Sequence, residues 1–122
     1  MNALLLIAHG SRRQASNDEV RELTKVLTQQ SQDEFSIVEC AFLELAEPSI
    51  PDGVNACVAK GADSVTVLPY FLSAGRHVVT DIPDELKKAQ QQHPQVSIKT
   101  APYLGSAQEI SEILIGLSKK AF

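Results

Sequence analysis

The sequence predicts an α/β fold: a three-layer α/β/α sandwich on a four-stranded parallel sheet of order 2-1-3-4. Three observations carry that reading. First, four short apolar runs alternate with four segments of helical periodicity along the 122 residues, and strands joined by helices imply a parallel sheet. Second, the first and third runs are the more apolar ones, as befits central strands covered on both faces, whereas the second and fourth are mixed, which suits edges. Third, the connections at one end of the sheet span two or three residues (Gln32-Asp33, Gly61-Ala62, Pro94-Gln95), while those at the other end run from His9 to Ala15, Phe42 to Pro48 and Tyr70 to Thr80. Long loops in a compact domain are usually functional. The whole chain, 1–122, reads as one domain of ordinary size.

The first strand is Ala3 to Ala8. A helix follows from about Asn17, with Ser16 and Glu19 at capping-box spacing and Val20, Leu23 and Leu27 on one apolar face. The second strand, about Phe35 to Ala41, carries Ser36 and Glu39. The second helix starts near Ser49 with Asp52 three residues on, aligns Ile50, Val54, Cys57 and Val58, and stops at Gly61. The third strand is Ser64 to Leu68, closed by Pro69. The third helix starts near Asp81 with Pro83 in its first turn and turns Leu86, Ala89 and His93 inward. The fourth strand is Val96 to Thr100, and a last helix, capped by Ser106 with Glu109, is expected to bury Ile110, Ile113, Leu114 and Leu117.

Composition removes several function classes. Fifteen acidic against eleven basic residues give a net charge of −4. With no Trp and 5% aromatic residues, the chain lacks both the basic track and the stacking surfaces that nucleic acid requires. The apolar run Ala3 to Ala8 is too short to span a bilayer. It follows no basic region and precedes no small-residue cleavage pattern, so it does not read as a signal peptide. Cys40 and Cys57 are two isolated thiols rather than a disulfide framework. The expectation is a cytoplasmic protein that binds neither nucleic acid nor membrane.

Order 2-1-3-4 places a topological switch between strands one and three, and ligands of such sheets bind outside the carboxyl ends of the strands at that switch. His9 directly follows strand one and His77 lies in the long loop after strand three. Glu44 lies just past strand two on the same rim, with Glu47 one turn further on. A lone histidine after a strand is more often a loop hydrogen-bonder than a ligand. Two on the switch-flanking strands with a carboxylate beside them suit a divalent first-row metal with open coordination positions. Glu47 is better placed as a favourable charge ahead of the second helix, which leaves Glu44 as the candidate ligand. His93, before Pro94, reads as a core or helix-end contact.

Other chemistries lack their residues. No G-x-G-x-x-G follows strand one and no G-x-x-x-x-G-K-[ST] occurs, so dinucleotide and nucleoside-triphosphate sites are not indicated. Ser11 precedes a helix amino terminus and suits an anion, but no general base adjoins it to make a nucleophile. His9 before Gly10 is similar to the histidine phosphatases, but that resemblance implies an arginine immediately before the histidine, where Ala8 stands.

Three segments together resemble the small sirohydrochlorin chelatases of the CbiX type: Leu5-Leu6-Ile7-Ala8-His9-Gly10-Ser11-Arg12, Ala41-Phe42-Leu43-Glu44-Leu45-Ala46-Glu47-Pro48, and Leu68-Pro69-Tyr70-Phe71-Leu72-Ser73-Ala74-Gly75-Arg76-His77. Asp81-Ile82-Pro83 follows at the family's spacing. The resemblance runs from the first strand to the last helix. It implies a chelatase-like fold, a flavodoxin-like half lobe, and ATP-independent insertion of Co²⁺ or Fe²⁺ into sirohydrochlorin in cobalamin or sirohaem biosynthesis. It maps His9, His77 and Glu44 onto the metal site, with the two histidines catalytic, and implies pairing as a homodimer. No permanently bound cofactor is implied; the divalent metal, Co²⁺, Fe²⁺ or Ni²⁺, is a substrate. The tetrapyrrole is a polycarboxylate and the chain is acidic, so Ser11, Arg12, Arg13 and Arg76 on the rim are the candidate substrate contacts. Leu45, Phe71 and Leu72 are candidates to face the macrocycle, the loop beneath or a second chain. A non-catalytic carrier of the metal or the tetrapyrrole is the alternative.

Overall fold

The computed structural model spans residues 1–122 and describes all of them except the side chain of His77. Its strands are β1 (Asn2–Ala8), β2 (Ile37–Phe42), β3 (Ser64–Pro69) and β4 (Ser97–Thr100), and its helices α1 (Gln14–Gln30), α2 (Ile50–Ala59), α3 (Ile82–Gln92) and α4 (Ile110–Ser118). A π-helical turn, His77–Asp81, leads into α3, and a 3-10 turn, Leu104–Ser106, precedes α4. The sheet is parallel with order β2-β1-β3-β4, the order that the polarity of the runs favours.

β1 is buried from Ala3 to Ala8 because both of its edges and both of its faces are covered. It pairs with β2 from Ala3–Ile37 to Ala8–Phe42 and with β3 from Asn2–Ser64 to Ile7–Pro69. Alternation divides its side chains between two cores. Ala3, Leu5 and Ile7 face α2 and α3 with Ile50, Val54, Val65, Val67, Ile82 and Leu86. Leu6 and Ala8 face α1 with Val20 and Phe42. Gly53 lets α2 lie close on the sheet: a Cβ there would come within 2.8 Å of the Ala41 Cβ and 3.1 Å of Leu5. On edge strand β2, Glu39 meets Lys60 at the end of α2, so its charge stays at the rim of the core.

Several boundaries differ from the sequence expectation. α1 begins at Gln14, not Asn17, and Ser16 does not cap it. The strand expected from Phe35 begins at Ile37, since Phe35 is held in a turn by its N–H donating to the Ser31 carbonyl at 2.8 Å. Ser49 caps α2 as expected, accepting from the Asp52 N–H at 3.2 Å. His93 ends α3 with its Nε2 2.6 Å from Asn55 Oδ1, a helix-end contact.

The largest correction concerns the last helix. Glu109 rather than Ser106 precedes its first turn, and none of its residues is buried. Ile113, Leu114, Ile115 and Leu117 are 52–60% exposed. The apolar period calls for a cover, but period alone does not say which surface supplies it. In the single chain the α1 side of the sheet is therefore covered by one helix, the other side by two. Among the described residues no helix is long and apolar enough to cross a membrane.

Cys57 is fully buried in the α2 core, and burial, then the Glu39 carboxylate, pushes its thiol up to about 11. The native protein is thus expected to leave Cys57 unmodified by a thiol reagent at pH 8 and to expose it only on unfolding, read by mass spectrometry. The raised value favours the protonated folded state, so its contribution to stability is intact below pH 9 and is lost as the pH climbs toward 11.

Candidate functional site

The parallel ladder between β1 and β2 continues past both strands. The Leu43 N–H donates to the Ala8 carbonyl at 2.9 Å and the Glu44 N–H to the His9 carbonyl at 3.1 Å. Parallel strands in register carry neighbouring residues to the same height, so His9 and Glu44 leave the carboxyl end of the sheet side by side. Their side chains meet, His9 Nε2 lying 3.2 Å from Glu44 Oε1, with both about half exposed. The other ring nitrogen, Nδ1, is 3.0 Å from the Gly10 carbonyl. Gly10 (φ 93°) makes the approach possible: it occupies the left-handed region, and a Cβ would overlap the Glu44 carbonyl oxygen.

Asn17, buried in the first turns of α1, holds the loop after His9. It accepts from the Ser11 N–H at 2.9 Å and donates to the Ser11 carbonyl at 2.8 Å. Ser11 Oγ accepts from the Arg13 N–H at 3.0 Å, so this hydroxyl already serves the helix start. One turn further along α1, Arg21 fixes the loop after β2. Its guanidinium donates to the Glu47 carbonyl and to Asp18, each at 3.0 Å, and lies 5.2 Å over the Phe42 ring. Leu45 in that loop has φ 65° and turns an exposed side chain to the rim. Sequence reasoning missed Asn17 and Arg21. An amide on the inward face of α1 and an arginine one position after Val20 were the available signals.

The β3 side completes the rim. The Tyr70 N–H donates to the Ile7 carbonyl at 2.8 Å, and residues 72–76 are exposed before the π-helical turn that His77 opens. Beside Glu44, an open hollow of about 270 Å³ is lined by Leu43, Asp81, Asp84, Glu85 and Lys88, with Lys88 paired to Glu85 at 2.8 Å. The hollow is smaller than the roughly 300–1,000 Å³ of enclosed small-molecule pockets, so the described chain offers a shelf rather than a cavity.

Of the residues expected from sequence, the structure brings His9 and Glu44 into contact. Arg12, Arg13 and Arg76 are exposed, and among the described residues none of the three forms an ion pair. The expected third metal ligand, the side chain of His77, lies outside the described residues. Among the described residues no group of three His, Cys, Asp or Glu side chains gathers at metal-ligand spacing. An imidazole and a carboxylate on an open shelf can share one divalent ion and leave most of its coordination sphere to other ligands. They can also take up a proton from a molecule lying across the rim.

A protein-family model described as CbiX matches residues 3–121. The chain is 41% identical over 102 residues to the chloroplastic sirohydrochlorin ferrochelatase of Arabidopsis thaliana, covering 83% of this chain and 44% of that protein. It is 32% identical over 121 residues to the sirohydrochlorin cobaltochelatase of Sulfolobus acidocaldarius, covering 99% of this chain and 93% of that protein. Among solved structures, the sirohydrochlorin chelatase SirB of Bacillus subtilis subspecies spizizenii in complex with cobalt superposes with a TM-score of 0.87 at 29% identity, covering 98% of this chain and 50% of that one. The chain thus spans less than half of the plant relative and nearly all of the archaeal one.

Asn17→Ala strands the Ser11 N–H and carbonyl that Asn17 satisfies. Urea unfolding is expected to show a loss of about 1–3 kcal/mol, with the slope of the transition unchanged.

Proposed function

The chain belongs to the CbiX family, and from that membership we propose that it inserts Co²⁺ or Fe²⁺ into sirohydrochlorin, without ATP, on the way to cobalamin or sirohaem. The reading places the reaction in the cytoplasm, in one 1–122 domain that needs no permanently bound cofactor. The metal is a substrate, whether Co²⁺, Fe²⁺ or Ni²⁺. The observation that carries the proposal is the His9–Glu44 contact on an open rim at the switch of the sheet.

Insertion removes two pyrrole N–H protons from the macrocycle and exchanges the metal's water ligands for four ring nitrogens. In this reading His9, Glu44 and His77 hold the incoming ion, and the acidic hollow of Asp81, Asp84 and Glu85 beside Glu44 favours its approach. Once the ion has passed to the ring, the freed His9 and His77 imidazoles can accept the displaced protons, a task suited to imidazole near neutral pH. So few protein ligands leave the ion free to pass to the ring, where a closed four-ligand site would keep it. Ser11, Arg12, Arg13 and Arg76 face the substrate carboxylates; the exposed guanidinium groups, without an ion pair among the described residues, are available for that pairing. The shelf cannot enclose a macrocycle, so the reading includes a homodimer whose carboxyl-end rims face a shared cleft.

Mixing the protein with sirohydrochlorin and Co²⁺ or Fe²⁺ is expected to accelerate the absorption change of metal insertion. His9→Ala and Glu44→Ala are each expected to slow it about 10²–10⁴-fold. Stoichiometric binding without acceleration would replace the enzyme by a metal or tetrapyrrole carrier, and equal rates for wild type and both variants would remove the proposed site.

Arg12→Ala and Arg76→Ala are expected to raise KM for sirohydrochlorin several-fold with kcat nearly unchanged, because both would contribute to binding alike in the ground and transition states. The difference should shrink in 0.5 M salt, where exposed charges are screened. A lowered kcat at unchanged KM would contradict that role.

A further inference from the structure

Two polar side chains of α1, Asn17 and Arg21, stand four positions apart, so they leave the same face of the helix one turn from each other. Asn17 holds the loop after β1 through the Ser11 N–H and carbonyl. Arg21 holds the loop after β2 through the Glu47 carbonyl. The first loop begins at His9 and the second carries Glu44, so one helix face braces both halves of the His9–Glu44 pair.

The second loop contains a strained residue. The loop closes on itself, because the Phe42 N–H donates to the Pro48 carbonyl at 2.8 Å and Phe42 bridges to Ser49. Within it Leu45, directly after Glu44, has φ 65°. A residue with a Cβ is disfavoured there, and leucine lacks the short polar side chain that lets Asn or Asp visit the left-handed region. Leu45 is 52% exposed, so burial of its own side chain does not hold it in place. Strained residues persist where their surroundings over-determine the backbone, and they cluster at functional sites.

The surroundings that fix Leu45 lie on both sides of it. Upstream, the Glu44 N–H donates to the His9 carbonyl at 3.1 Å, and the Glu44 carbonyl fills the space a Cβ on Gly10 would need. Downstream, Ala46 packs against the cluster between β1 and α1, and the Glu47 carbonyl accepts from Arg21 Nη2 at 3.0 Å. Arg21 is itself held. Its Nη1 donates to Asp18 Oδ1 at 3.0 Å, and the same oxygen accepts from Gln14 Nε2 at 3.1 Å. The guanidinium also lies 5.2 Å over the Phe42 ring. Arg21 therefore grips the loop at Phe42, two residues before Glu44, and at Glu47, three residues after it. A planar guanidinium with diverging donors can make these contacts together, which an ammonium cannot.

We propose that Arg21 is a positioning residue for metal insertion: by gripping the loop on both sides of Glu44 it keeps Leu45 in the left-handed conformation and so aims the Glu44 carboxylate at His9. The proposal rests on the chelatase reading for the reaction, and on the loop geometry for the positioning. Arg21 touches neither metal nor substrate in this account, because its guanidinium is committed to Asp18, Glu47 and Phe42. Arg12, Arg13 and Arg76 differ from it in having no ion pair among the described residues. Without Arg21 the Glu47 carbonyl turns to water and Leu45 relaxes toward an ordinary backbone region. Both ends of the loop stay tied by the Phe42–Pro48 bond, so neighbours must absorb the change. Glu44 is the nearest.

The test uses the full chain and Arg21→Met, which keeps an apolar stem and removes the donors. At saturating sirohydrochlorin, kcat/KM for Co²⁺ is expected to fall about tenfold, since misplacing a reacting group by about 1 Å can cost about 10²-fold. KM for sirohydrochlorin is expected to stay within about twofold of wild type, because no substrate contact is removed. A second readout needs no activity. The left-handed region brings a residue's N–H and Hα close together, so Leu45 should give a strong intraresidue NOE in the wild type and a weak one in Arg21→Met. Leu45→Asn, which accepts the left-handed region readily, is expected to make Arg21 dispensable, so that Arg21→Met costs less than about twofold in that background. If Arg21→Met loses its far-UV circular dichroism, Asp18→Asn, an exposed change that unties Arg21, carries the same comparisons. Insertion by Arg21→Met at the wild-type rate would overturn the proposal. So would an equal loss in both backgrounds, or a Leu45 NOE that Arg21→Met leaves unchanged. A wild type that does not accelerate insertion would remove the chelatase reading, and the NOE comparison alone would then decide whether Arg21 holds the loop.

Discussion

The site depends on one run of backbone hydrogen bonds, the parallel ladder of β1 and β2 and its continuation to Leu43–Ala8 and Glu44–His9. Register sets which residue stands beside which, and a slip of one position would turn every side chain of the strand to the opposite face. Burial of β1 from Ala3 to Ala8 forbids such a slip, because Leu5 and Leu6 belong to different cores. The same apolar burial that stabilises the sheet therefore positions an imidazole against a carboxylate at its end. Gly10 is the local condition: only a residue without a side chain allows the Glu44 carbonyl to come so near.

Much of this was legible in the residues because the signals were local or averaged over whole strands. The more apolar runs, Ala3–Ala8 and Val65–Leu68, were identified as central, and order β2-β1-β3-β4 followed. Ser49 with Asp52 gave a true helix start. The same pattern at Ser16 and Glu19 did not, because Asn17 was already committed to Ser11 and the helix had begun three residues earlier. Capping-box spacing reports what a helix start can use, whereas the long-range partner of an amide decides where the helix starts. Arg21 was illegible for a related reason: its partners, the Glu47 carbonyl and the Phe42 ring, lie more than twenty positions away. α4 shows the converse failure. Its period was read correctly, but the surface it needs does not come from its own chain in this structure.

The charge pattern gains meaning from the fold. A chain of net charge −4 gathers Glu44, Asp81, Asp84 and Glu85 around one hollow and leaves Arg12, Arg13 and Arg76 exposed on the rim. Such a division produces opposite fields within a short distance, one suited to a cation and one to carboxylates. A protein that must bring a dication to a polyanion without keeping either is served by that separation.

The exposed stretch from Leu72 to Arg76 has a consequence for how the rim opens. An added Cβ on Gly75 would meet nothing within 4 Å, whereas Gly105 locks the Phe71–Leu72 backbone in place. Regions with few buried contacts open locally at low free energy, while central strands open only with the whole molecule. The His9–Glu44 shelf, carried by β1 and its ladder, thus belongs to the globally protected part of the protein. The neighbouring stretch, exposed from Leu72 to Arg76, is expected to open at lower free energy than that floor.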